Sequence, residues 1–188
     1  MKAPLIYVVG ASGSGKDSLM QYAREKLAKH PGICFAHRYI TRPADAGGEN
    51  HVALSPDEFA ARSQANLFAL NWQSHGLSYG IGIEINQWLA KGVTVVGNGS
   101  REYLPFARQR YPELLPVLIE VSEETLRDRL TSRSRETAEE IEQRLQRNRE
   151  LRLRAGFSEV IRNEGSLDTA GDALVSLIQS HSRALACA

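Results

Sequence analysis

Short apolar runs alternate along the chain with longer stretches in which apolar positions recur every three or four residues. The runs "LIYVV" (5–9), "CFAHRYI" (34–40), "VTVVG" (93–97), "LPVLIEV" (115–121) and "SEVIRN" (158–163) have the length and β-branched content of strands. Helical periodicity covers 15–29, 84–91, 101–110, 123–132, 136–153 and 167–183. Strands separated by helices predict an α/β fold, a five-stranded parallel sheet covered on both faces. The interval 50–82 breaks the rhythm: "HVALS", "LFALNW" and "LSYGIGI" crowd around one helical piece, "SPDEFAARS". That crowding predicts a small antiparallel lobe inserted into the α/β body.

Length changes the picture little: 188 residues suffice for one domain with a substantial core. A formal net charge of +1 gives no basic footprint for nucleic acid or an acidic membrane. No apolar run approaches the roughly 20 residues that span a bilayer. The chain enters a strand-like run, "PLIYVVG", with no basic leader, which predicts a cytoplasmic protein. Cys34 and Cys187, in no metal-ligand spacing, are expected to be free thiols, with Cys34 in the core. Residues 125–154 hold nine arginines and no lysine. Most read as solvated helix faces with i,i+4 ion pairs, although arginine is also the better fork for phosphate oxygens.

The chemistry concentrates in "VVGASGSGKDSL" (8–19), where a strand runs into a glycine-rich turn and then a helix. Gly10, Gly13, Gly15 and Lys16 fit a phosphate-binding loop. Backbone N–H groups from Gly10 through Ser18 (Ala11, Ser12 and Ser14 among them) would cradle nucleotide phosphates at the helix N-terminus, and Lys16 would reach the outer ones. Asp17 stands where this loop usually carries Ser or Thr. A bare carboxylate beside a triphosphate is repulsive, by roughly 1–4 kcal/mol at 4 Å. A magnesium ion between them reverses the sign, since carboxylate is a good magnesium ligand. Asp17 therefore either holds the metal of bound ATP, directly or through water, or points away and leaves the role to Ser18, about 100° further round the helix.

Over nearly its whole length the chain resembles the guanylate kinase family. "GASGSGKDS" matches that family's first motif. The resemblance implies a P-loop NTPase fold as a single domain over 1–188: core 1–49, 83–132 and 154–188, acceptor lobe about 50–82, helical lid about 133–153. "YITRP" (39–43) with Glu49 resembles the acceptor-phosphate segment and implies Arg42 on that phosphate; "HGLSYGIG" (75–82) implies the same for Tyr79. "LRDRLTSRSRETAEEIEQRL" (126–145) resembles the lid and implies Arg133 and Arg144 as catalytic charges closing over ATP. "VIRNEGSL" (160–167) implies Asn163 beside the adenine.

The departures point to another acceptor. The position of the family's guanine-reading glutamate is Leu70, a helping serine is replaced by Arg38, and the acid ending the third strand is Asn98. Guanine-bonding groups are gone, phosphate-binding groups remain, and an arginine is added. "GSGKDS", "TRP", "ENH", "YG" and "NGSR" together resemble the branch of the family that phosphorylates ribose 1,5-bisphosphate. That likeness implies ATP and Mg2+ as cofactors and transfer of the γ-phosphoryl group to the sugar 1-phosphate. Arg38 would meet the second phosphate or stand as an exposed strand residue. His51 would be a substrate contact or a turn residue. Asn98 would hold a ribose hydroxyl or a metal-bound water, or cap the helix near Arg101. Asp45 is not needed as a base, because phosphate oxygens are already ionised. The rivals are a nucleoside monophosphate kinase, a non-catalytic interaction module and a hydroxyl-directed sugar kinase. Retention of Lys16 speaks against the module, and the want of a placed base against the sugar kinase.

Overall fold

The structure, a computed structural model, describes residues 4–46, 49–132, 137–154, 157 and 159–182. In chain order the first elements are β1 (Leu5–Gly10), α1 (Lys16–Lys26), β2 (Ile33–Phe35), β3 (Arg38–Ile40), β4 (Val52–Ala53), α2 (Pro56–Gln64), β5 (Phe68–Ser74) and β6 (Leu77–Gly82). There follow α3 (Ile85–Ala90), β7 (Thr94–Asn98), α4 (Leu104–Arg110), β8 (Leu115–Glu120), α5 (Glu123–Ser132), α6 (Ala138–Arg154), β9 (Glu159–Arg162) and α7 (Leu167–Ser180).

The main sheet runs β2-β7-β1-β8-β9 with every pair parallel. Its central strand is apolar at consecutive positions because both faces are covered. Leu5, Tyr7 and Val9 enter one core, Ile6 and Val8 the other, against α1 and α7. Strand β1 ends in the middle of the sheet, so the loop after it opens at the carboxyl edge, the usual place for ligands in such sheets.

The expected strand over 34–40 is two strands in two sheets. Cys34 pairs with Val95 of β7, and the Ala36 amide still bonds the Val96 carbonyl. From Arg38 the chain pairs instead with Ile81 of β6. Apolar spacing reads extended chain but not which neighbour completes the ladder. The second sheet, β4-β3-β6-β5, thus begins before residue 50, and it is not wholly antiparallel, since β3 and β4 run parallel. It has its own small core of Leu54, Phe59 and Phe68, the two rings stacked 4.5 Å apart. Cys34 is a free thiol and half-buried rather than core, on the edge strand β2; Cys187 lies outside the described residues. Helices α5 and α6 pack through Leu126, Leu130, Ile141 and Leu145 onto Ala11 and Val121, which brings them against the phosphate loop. No helix among the described residues is long and apolar enough to cross a membrane.

Candidate active site

The loop from Gly10 to Lys16 turns on two glycines in the left-handed region, Gly13 (φ 94°) and Gly15 (φ 82°). Any side chain there would be strained, and at Gly15 it would also collide with the Asn163 amide. The loop is clamped from behind. The Ser14 carbonyl accepts from Asn163 Nδ2 (2.7 Å) and Arg129 Nη1 (3.2 Å), and Arg129 Nη2 donates to the Asn163 carbonyl (3.0 Å). Asn163, expected beside the adenine, is buried, its amide turned into the loop. Arg129 was missed, since nothing in the arginine-rich helix pattern separates it from its solvated neighbours.

Lys16 Nζ donates to Asn98 Oδ1 (2.5 Å) and Asp17 Oδ1 (2.6 Å). Asn98 Nδ2 donates in turn to Asp17 Oδ1 and Glu49 Oε2, both at 2.9 Å. Asn98 is buried and caps no helix; it joins the phosphate loop to the acceptor side. Burial works against the charge on Asp17, but Lys16, Arg38 and the Asn98 hydrogen bond outweigh it, holding the carboxyl below its ordinary range and ionised.

On the acceptor side Arg38 donates from Nε to Glu49 Oε2 (2.9 Å) and from Nη2 to Oε1, a bidentate pair. Its guanidinium lies 5.0 Å over the Tyr79 ring, which stacks on Trp72 (5.7 Å). The fork expected for a second phosphate is filled by Glu49. Arg42 Nη2 stands 4.0 Å from the same carboxylate and 3.3 Å from His51 Nδ1, and His51 Nε2 is 3.2 Å from the Arg42 carbonyl. His51 is buried. His51 Nδ1 also lies 3.2 Å from the Glu49 carbonyl, so the ring is engaged by the Arg42 guanidinium and by the backbone of Arg42 and Glu49.

These groups surround one cleft of about 740 Å³. Gly10, Ala11, Ser12, Gly13, Gly15, Lys16, Asp17, Ser18, Arg38, Arg42, Tyr79 and Arg144 line it; Ser14, His51, Asn98 and Asn163 stand behind its wall. Arg144 Nη1 reaches Ser12 Oγ (3.0 Å), placing a positive charge from α6 on the phosphate loop. Arg133 lies outside the described residues. Arg101 and Arg147 also line the cleft; in the sequence Arg101 has a place in the "NGSR" motif but no role, and Arg147 is not singled out. Leu70 is 2 % exposed and sits in the core with Ala69 and Trp72, leaving no polar group at that position.

Among the described residues no three His, Cys, Asp or Glu side chains gather as a metal cage. A lone carboxylate fits magnesium nonetheless, because that ion takes one or two protein carboxylates and completes its sphere from phosphates and water. Asp17, ionised, partly exposed and on the phosphate loop, is such a donor.

The family model described as Guanylate kinase matches residues 2–181. The ribose 1,5-bisphosphate phosphokinase PhnN of Thiobacillus denitrificans is 59% identical over 174 residues, 93% of this chain and 92% of the relative. That of Desulfomicrobium baculatum is 58% identical over 176 residues, 93% of each. Among solved structures, the guanylate kinase from Anaplasma phagocytophilum superposes with a TM-score of 0.68 at 18% identity, covering 95% of this chain and 86% of that one, which is a likeness of fold. The chain belongs to the guanylate kinase family.

Proposed function

We propose that the chain is a kinase that moves the γ-phosphoryl group of ATP onto the 1-phosphate of ribose 1,5-bisphosphate, giving 5-phosphoribosyl 1-diphosphate and ADP. The observation that carries this reading is the acceptor side of the cleft. It is lined by Arg42 and by Arg38, the latter forked by Glu49, while the position of the guanine-reading carboxylate is a core leucine, Leu70. A site without polar groups for a base gains nothing from one. The names borne by the relatives, at 58–59% identity over nearly full length, support the same acceptor.

The reaction needs little covalent help. An oxygen of the 1-phosphate, already ionised, attacks the γ-phosphorus in line with the departing bridging oxygen of ADP. No base is required. The loop amides and Lys16 stabilise charge on the moving group, Arg42 holds the acceptor phosphate, and Arg144 brings charge from the lid and excludes water. Magnesium, when bound at Asp17, would neutralise the donor phosphates. ADP release with ATP and magnesium tests the reading, comparing ribose 1,5-bisphosphate with GMP at equal concentration. Turnover with the sugar bisphosphate and none with GMP is expected; turnover with GMP alone overturns it.

A narrower prediction concerns the metal. Asp17→Ala is expected to raise the magnesium concentration for half-maximal rate by roughly tenfold, the low end for loss of a metal-site group. A magnesium titration identical to that of the wild type would remove Asp17 from that role.

A further inference from the structure

The cleft contains an arginine that neither the phosphate loop nor the acceptor carboxylate accounts for. Arg101 leaves the turn after β7, and that turn is rigid. The Gly99 amide bonds the Val8 carbonyl (2.8 Å), the Ser100 amide donates to the hydroxyl of the buried Tyr7 (2.9 Å), and Gly99 lies against the Tyr7 ring. On the far side Arg101 Nη1 donates to Asn148 Oδ1 of α6, a neutral acceptor that engages one of five guanidinium donors.

The other described arginines of the cleft have evident work. Arg38 and Arg42 face Glu49, Arg144 reaches the phosphate loop, and Arg147 forks Glu102 Oε1 at 2.9 and 2.6 Å. Arg101 makes no ion pair of its own within 4.0 Å among the described residues, yet shares the cleft with Arg147. Burial first, and then the like charge of Arg147, bring its guanidinium down to about 10, with Glu102 offsetting part of the fall. One carboxylate, Glu102, thus serves both cations, and a further anion between them would be favourable.

We propose that Arg101 is a specificity-determining residue that takes the acceptor's second phosphate, the phosphomonoester on carbon 5 that is not phosphorylated. This assignment rests on the bisphosphate reading above. A sugar bisphosphate has an anionic group at each end. The reacting end belongs beside Lys16 and Arg42, and the donor phosphates have the loop amides and Arg144. The distal dianion is left to Arg101, since the Arg38 fork is filled by Glu49.

Ribose 5-phosphate, which keeps only the distal phosphate, isolates the contact. Its direct binding to the wild type, R101Q and R101K is the test, together with KM values for both substrates. A charge-assisted contact of this kind corresponds to roughly 10–150-fold in affinity. R101Q is expected to weaken ribose 5-phosphate by that factor and to raise KM for ribose 1,5-bisphosphate in parallel, with KM for ATP held. R101K, with the charge but not the fork, falls between. No binding of ribose 5-phosphate by the wild type, equal binding by R101Q, or a rise in KM for ATP in place of the acceptor overturns the assignment. A wild type that binds ribose 5-phosphate but does not turn over ribose 1,5-bisphosphate would fell the functional reading separately.

Discussion

Replacing Lys16 by methionine is expected to lower kcat by about a thousandfold, with a much smaller change in KM for ATP. Methionine keeps the unbranched apolar stem and removes only the charge. The ammonium is 12 % exposed and fixed by Asn98 and Asp17 before any substrate arrives, so little reorganisation accompanies the reaction. A preorganised donor removed from a dry site typically costs about 10²–10³ in rate, and a full positive charge on a moving phosphoryl group lies at the upper end. Its effect is specific to the transition state, where charge shifts toward the leaving oxygen, which is why kcat falls more than binding. Single-turnover phosphoryl transfer at saturating ATP reads the step directly. A rate within tenfold of the wild type would mean that the loop amides and arginines carry the transition state without Lys16. Two partners are left behind: Asp17, 40 % exposed, can be hydrated, but the buried Asn98 Oδ1 loses the Lys16 donor, so stability should fall by about 1–3 kcal/mol.

The parts legible in the sequence are those encoded by local spacing. The phosphate loop is a contiguous pattern, and its glycines are needed where the backbone turns left-handed, at Gly13 and Gly15. The buried strands announce themselves as unbroken apolar runs because the sheet is covered on both faces. What the sequence hides is pairing between distant elements. The run 34–40 looks like one strand, and only the position of β6 shows that it changes sheets at His37. Asn98 and Glu49 lie 49 residues apart, and neither position suggests that one amide nitrogen donates to both Asp17 and Glu49. His51 and Asn163 are polar residues in the right neighbourhood, and resemblance gives them ligands. The fold gives them backbone carbonyls instead, Arg42 and Ser14. Arg129 and Arg101 were passed over for the opposite reason. In a chain with many surface arginines, a partly buried guanidinium differs from an exposed one by its packing, not by its letter.

Glu49 is where the acceptor site should prove most fragile. Its carboxylate, 12 % exposed, accepts two bonds from Arg38 and one from Asn98 and stands 4.0 Å from Arg42. Glu49→Ala leaves two poorly solvated guanidinium groups with that shared anion gone. Removing one partner of a buried pair typically costs about 3–5 kcal/mol, which for a chain of this length lowers Tm by about 10 °C. Glu49→Gln, which keeps the shape and an acceptor oxygen, should lose less. The same geometry predicts rescue. If the deficit is uncompensated positive charge, an anion that occupies the place of the carboxylate should restore it. Millimolar inorganic phosphate or ribose 1,5-bisphosphate should therefore raise the Tm of Glu49→Ala by more than that of the wild type, following the usual linkage of ligand binding to stability. In the wild type the incoming phosphate has to compete with Glu49 for Arg38 and Arg42; in the variant it does not. Thermal melts with and without the anion decide the matter. A Tm within 2 °C of the wild type would show that the network contributes no net stability. A normal deficit without rescue would show that Glu49 holds shape rather than balancing charge.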